Sequence, residues 1–458
     1  MLYDSVAIDK VLNLLEHIEP VRGIGRVEQI IGLVIESSGP PDVNMGETCC
    51  IMQRDADPLM AEVVGFRNGK VLLMVLGEMR GIGPGCEVYA TGGSLRVAVG
   101  DSLLGSVLDG LGRPIDGTCL SSACENISIY ANPSNPLDRP RIKKPLPVGV
   151  KAIDGLLTFG RGQRVGIFAG SGVGKSTLLG MIAKNTVAEV NVIALIGERG
   201  REVKEFIERD LGPEGLKRSV VVVATSDQPA LVRIKGAFVA TAIAEYFRDE
   251  GKDVLLMMDS LTRFSMAQRE VGLSTGEPPT TKGYTPSVFA LMPKLLERCG
   301  TNNVGSITGI YTVLVDGDDM DEPIADAARG ILDGHVVLSR KLANRNHFPS
   351  IDVLASISRV MPQVITKEHA GLVDRVKNTM AVYRDAEDLI NIGAYVNGSS
   401  PQIDEAINLM PQINAFLRQS VIDKYEFADV INELAERIGV SLVEVPAERE
   451  ENTFEMSD

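Results

Sequence analysis

No apolar run in the 458-residue chain approaches the roughly 20 residues that a membrane-crossing helix needs. No basic-then-apolar leader opens it, so the expected location is the soluble compartment in which it is made. Positive charge is also in short supply. Asp and Glu outnumber Lys and Arg by 61 to 46, and the net charge of −15 argues against nucleic acid or an anionic membrane surface as the main partner. The six cysteines form no metal pattern. Cys49-Cys50 and the pair Cys119 and Cys124 have no matching histidine or second pair nearby, and a disulfide framework is not expected in a chain this long. Residues 22–93 are poor in aromatics and in Lys/Arg, so they lack the stacking platform of a nucleic-acid-binding barrel. What remains is an ordinary hydrophobic fraction of 44%, enough for a substantial core, in a length that suggests about three domains.

The chain is organised around Arg164–Ile182, RVGIFAGSGVGKSTLLGMI. A short apolar strand run, Val165–Phe168, leads into Ala169-Gly170-Ser171-Gly172-Val173-Gly174-Lys175-Ser176-Thr177 and then into helix-type sequence. This is a P-loop, whose glycines let backbone N–H groups curl around an anion at a helix N-terminus. Lys175 is expected to reach the β- and γ-phosphates of ATP, and Ser176 to ligate Mg²⁺. Ala169 stands where the strict pattern has glycine, a small departure at the strand end.

Before it, residues 5–19 put Ile8, Val11, Leu12, Leu15 and Ile18 on one helical face, against either the chain itself or a partner protein. Residues 21–96 read as a barrel of short strands (Ile30–Ile35, Thr48–Met52, Ala61–Phe66, Val71–Leu76, Glu87–Ala90), with Asn68-Gly69 as a hairpin turn. Five prolines between 131 and 147 mark an extended segment. From near Gly149, in a domain spanning 97–371, apolar strand runs alternate with helical stretches, which predicts a mostly parallel sheet covered on both faces. Residues 372–458 read as helical, over Val376–Ile392, Gln402–Gln419 and Phe427–Gly439, with a polar tail from Glu448.

Hydrolysis of a nucleoside triphosphate needs a metal, a group that orients water and positive charge at the γ-phosphate. Asp259 ends the buried run Val254–Met258, the arrangement that supports a magnesium shell. Glu198 ends the run Val192–Gly197. It can polarise water if that strand neighbours the P-loop strand, although Glu202 and Glu205 compete on spacing alone. Arg199, Arg263 and Arg359 are the candidate cations, with Arg359 past the last recognisable strand run. Phe348 before Pro349 is either core or a stacking surface for adenine.

GERGRE at 197–202, VLLMMDSLTRF at 254–264, GEPPTTKGYTPSVFALMPKLLERCG at 276–300 and LASISRVMP at 354–362, with the P-loop, resemble the rotary ATPase family. Within it the chain is similar to the flagellar and type III secretion export ATPases, over roughly residues 22–420. The resemblance implies an N-terminal β-barrel, a RecA-like α/β core and a C-terminal helical domain, assembled as a homohexamer with ATP at subunit interfaces. It implies Glu198 as the catalytic carboxylate, Arg359 as an arginine finger acting on the neighbour, and Arg199 and Arg263 lining the phosphates. It implies Phe348 against adenine, with Phe416 the nearest candidate for a second aromatic. It further implies a negative regulator at the N-terminal helix and a coiled-coil stalk at the helical domain. An export gate with its substrates or chaperones would follow, and attachment to the inner face of the cytoplasmic membrane. The competing readings are an injectisome ATPase, the catalytic subunit of an ion-translocating rotary synthase, a hexameric RNA translocase and a non-catalytic subunit. The acidic coupling motif expected of the synthase is absent from 376–458. The acidic charge opposes the RNA reading, and Lys175, Asp259 and Glu198 oppose the last.

Overall fold

The computed structural model describes residues 23–441, apart from 55, 120, 122, 316 and 318. The helix expected over 5–19 and the tail from Glu448 lie outside the described residues.

Six strands come first: β1 (Gly25–Ile31), β2 (Val34–Ser37), β3 (Thr48–Ile51), β4 (Leu59–Arg67), β5 (Lys70–Val75) and β6 (Glu87–Ala90). They close into a barrel in the order β1-β2-β5-β4-β3-β6. Alternation fills its interior with Val27, Ile35, Ile51, Val63, Leu73 and Val88. Asn68 and Gly69, both at positive φ, make the predicted tight turn between β4 and β5. The run Ile30–Ile35 is two strands rather than one. Gly32, at φ 59°, turns the chain between β1 and β2, which then pair with each other.

β7 (Arg96–Val99) pairs with β9 (Glu125–Ser128) in a small ribbon, and β8 (Val107–Asp109) joins the main sheet. The remaining strands are β10 (Arg164–Ala169), β11 (Val190–Ile196), β12 (Ser219–Ala224), β13 (Asp253–Asp259), β14 (Gly300–Thr301), β15 (Ser306–Leu314), β16 (Gly334–Leu338) and β17 (Ile351–Ser358). The sheet runs β17-β16-β10-β15-β13-β11-β12-β8, with β14 beside β15. From β16 to β8 every neighbour is parallel, while β17 is antiparallel to β16. All seven residues of β11 are buried, as covering on both faces requires.

Helices Lys367–Asn391, Pro401–Leu417 and Phe427–Arg437 make the C-terminal layer. Its apolar face, with Ile413, Phe416, Val430 and Leu434, packs on the short helix Lys151–Leu156 in one core with the P-loop strand. A β-carbon at Gly155 would come within 3.0 Å of the Phe416 ring, so glycine sets that approach. The barrel is tied to the sheet domain by a buried contact between Lys235, on helix Ala230–Asp249, and Glu62 of β4, at 2.6 Å.

Candidate active site

Parallel strands all end on one rim of the sheet, and that rim gathers the chemistry. β10 ends at Ala169, and the loop after it turns through Gly172 (φ 75°) and Gly174 (φ 92°) into helix Lys175–Asn185. Ser350 donates its hydroxyl to the Val173 carbonyl at 2.7 Å, which pins the loop from outside. Ser171, Gly172 and Ser176 are exposed.

Glu198 follows β11, which is not a neighbour of β10, because β15 and β13 lie between them. The adjacency on which the sequence reading made the role of Glu198 conditional is therefore not present. The side chains still meet: the Lys175 ammonium is 3.4 Å from a Glu198 oxygen and in direct contact with Asp259. Long side chains reaching along the rim span the gap. Burial opposes the Lys175 charge, but Asp259 and then Glu198 outweigh it and raise its pKa. Burial, followed by the charge of Asp259, pushes Glu198 up to about 7 against the pull of Lys175. Of the competing acids, Glu202 pairs with Arg199 at 3.3 Å and Glu205 with Arg201 at 3.0 Å, both near the surface.

Asp259, 6% exposed, accepts a hydrogen bond from Thr312 of β15 at 2.7 Å. Sequence reasoning missed Thr312; its one signal is a hydroxyl inside the apolar run Ile310–Val315. Arg263 lies in the first turn of helix Leu261–Thr275, where Ser260 caps its N–H. Its stem lies over Gly197, where a β-carbon would sit 2.8 Å from Arg263 Cβ, and its charge favours ionised Glu198. The buried Arg263 Nε has no hydrogen-bond partner. Lys175, Ser176, Asp259, Glu198 and Arg263 thus share one rim. Arg199 is exposed and turned to Glu202.

Arg359 is at the other rim. Ser358 pairs with Gly334, and Gly334 with Val165, the second residue of β10. Antiparallel β17 has carried the chain away from the P-loop, roughly 13 Å at ~3.3 Å per residue over Val165–Ala169. There the Arg359 guanidinium rests on the carbonyls of Leu332 and Arg329, each at 3.4 Å.

A cavity of about 400 Å³ opens beside the P-loop helix, lined by Gly174, Thr177, Met181, Phe348, Pro349 and Val421, among others. Phe348, 40% exposed, offers a ring face at one wall. Phe416 does not reach this cavity. It is fully buried, because its helix face packs on Gly155, and the opposite wall comes from the turn after that helix, Ser420–Val421. Gln419, also unnoticed in the sequence, holds that turn by donating to the Gly149 carbonyl at 2.8 Å and accepting from the Lys151 N–H at 2.9 Å.

A P-loop, a strand-end aspartate and a carboxylate facing the P-loop lysine define a nucleotide-hydrolysing subunit, here with a barrel before it and a helical layer after it. Three family descriptions match in order: the beta-barrel domain of the ATP synthase alpha/beta family over 27–92, that family's nucleotide-binding domain over 149–358, and the T3SS EscN ATPase C-terminal domain over 365–436. The "Flagellum-specific ATP synthase" of Bacillus subtilis is 58% identical over 410 residues, 89% of this chain and 93% of the relative. The "Type 3 secretion system ATPase" of Xanthomonas euvesicatoria is 52% identical over 87% of this chain and 90% of its own. The assembled ATPase EscN of the enteropathogenic E. coli type III secretion system superposes with a TM-score of 0.86 at 46% identity, covering 90% of this chain and all of that one. The chain belongs to the family of flagellum-specific ATP synthases and type III secretion ATPases, and it is an ATPase. No helix among the described residues is long and apolar enough to cross a membrane.

Proposed function

We propose that six copies close into a ring in which each chain binds ATP on its own P-loop rim and lends Arg359 to its neighbour. The observation that carries this reading is the reversed edge strand β17: Arg359 is at the rim opposite its own Lys175, so its guanidinium serves a second copy or no phosphate at all. Glu198 takes up the proton of the attacking water, Lys175 neutralises the β- and γ-oxygens, and Arg263 adds charge from within the chain. Phe348 stacks on adenine. The exposed Ser176 hydroxyl and the Asp259 carboxylate, held by Thr312, are an all-oxygen donor pair that would hold a magnesium ion. When bound, that ion supplies charge neutralisation along the triphosphate.

The cellular task is energising protein export through the flagellar type III apparatus. In support, the flagellar relatives of Bacillus subtilis and Treponema pallidum are 58% and 53% identical, although that of Salmonella typhimurium, at 50%, lies within the 52% to 47% spanned by the secretion ATPases of Xanthomonas euvesicatoria and Sinorhizobium fredii. A coiled-coil stalk at the helical domain is supported by EscN, solved in complex with its central stalk EscO (TM-score 0.84). A regulator at the N-terminal helix, docking to an export gate and attachment at the inner membrane face complete the assignment. The test is hydrolysis rate against protein concentration. A steep rise is expected for sites completed by neighbours, and a flat profile sinks the reading.

A further inference from the structure

Arg359 needs a pedestal if it is to hold a guanidinium steady at a neighbour's site. We propose that Asp333, clamped by Arg164, is the positioning residue for Arg359; this rests on the trans reading of Arg359 given above. Asp333 is bonded through its N–H, its carboxylate and its carbonyl. Its N–H donates to the Arg164 carbonyl at 2.9 Å. Its carboxylate accepts from the Arg164 backbone N–H at 3.0 Å and from the guanidinium fork, Nε and Nη2, at 3.1 Å each. Its carbonyl accepts the Arg359 N–H at 3.0 Å. The last turn of helix Pro323–Ile331 and the residue after it offer the Arg329 and Leu332 carbonyls to the Arg359 side chain. Backbone and guanidinium of Arg359 are therefore both referenced to the end of helix Pro323–Ile331 and the turn after it, and one bidentate ion pair ties that turn to β10.

The clamp is itself braced. Arg164 also contacts Glu297, which pairs with Arg139 at 3.3 Å, while Arg139 Nη2 donates to the Glu297 carbonyl at 2.6 Å. Arg164 is only 14% exposed and Asp333 27%, so the pair is shielded enough for its geometry to matter. A planar fork fixes direction as well as distance, which lysine does not. β10 begins at this clamp and ends at the P-loop. One strand thus braces, at its two ends, the site a chain owns and the cation it lends.

The test uses full-length chains with D333N, R164K or R359A, each alone and mixed with a K175A chain that keeps Arg359 but lacks the P-loop lysine. A group acting through misplacement by about an ångström costs on the order of 10²-fold in rate. D333N is expected to lower turnover about 10- to 100-fold and R164K about 10-fold, with affinity for a fluorescent ATP analogue changed by less than about 2-fold. The K175A mixture is expected to restore activity to each, since a merely structural defect would not be cured by a neighbour. Wild-type turnover in both variants overturns the proposal. So does a loss that K175A fails to relieve while it relieves R359A. Should D333N not fold, R164K alone decides by the same readouts. Full activity of R359A itself would remove the trans reading instead.

Discussion

Lys175 and Glu198 stand 3.4 Å apart although two strands separate β10 and β11, the strands that lead to them. Burial and then the Asp259 charge raise the Glu198 carboxyl, and the lysine opposes that rise. Glu198→Gln keeps the shape and removes the proton acceptor. Turnover is expected to fall about 10²- to 10⁴-fold while ATP binding is retained, as single-turnover and binding measurements would reveal.

The same carboxyl sets a pH dependence. Glu198 is raised to about 7 and must be ionised to act as a base. The rate at low ATP is expected to fall about tenfold per pH unit below 7 and to level off above it. A profile flat from pH 6 to 8 would exclude a base that titrates near 7.

Thr312 donates to Asp259 from a fully buried position. Thr312→Val leaves the aspartate oxygen short of one partner, a loss of about 1.5–3 kcal/mol for a bond to a charged group. The expected result is about a tenfold fall in kcat/KM and a raised magnesium requirement, read by titrating Mg²⁺ at fixed ATP.

Phe348 lines a cavity with Leu178, Met181, Leu338 and Val421. Stacking of a base on an aromatic ring is worth about 1–3 kcal/mol. Phe348→Ala is expected to raise KM for ATP about 10-fold with little change in kcat. Steady-state kinetics at saturating ATP separate the two.

Lys235 and Glu62 tie the sheet domain to the barrel from side chains 2% and 7% exposed. Tyr130 is the third partner, its hydroxyl in contact with the lysine. Lys235→Met leaves a buried carboxylate unpaired and is expected to cost about 3–5 kcal/mol in chemical unfolding. Adding Glu62→Gln to it is expected to restore much of that loss. Equal stability of the single and double variants would remove the pair from the account.

The P-loop was legible because its chemistry is local: glycines, lysine and serine act within one turn, between a strand and a helix that the apolar pattern already marks. Asp259 was legible for the same reason, at the end of its own strand. Glu198 was only one of three acids, since its partner depends on strand order, and strand order is not written in any one segment. β17 escaped notice because Asp352, Ser356 and Ser358 dilute its apolar pattern, as an edge strand allows. Phe416, the nearest candidate for a second aromatic, is turned to the core, since helix phase rather than residue type decided its face.

By itself the sequence determined the reaction class, the barrel, the parallel sheet and the helical layer, because periodicity and short motifs report local backbone preference. Only the tertiary structure decided which acid meets Lys175, that Arg359 stands at the rim opposite its own P-loop, and that Asp333 and Arg164 hold the turn beneath it. Those are relations between strands, set by how a whole sheet is ordered and in which direction each strand runs.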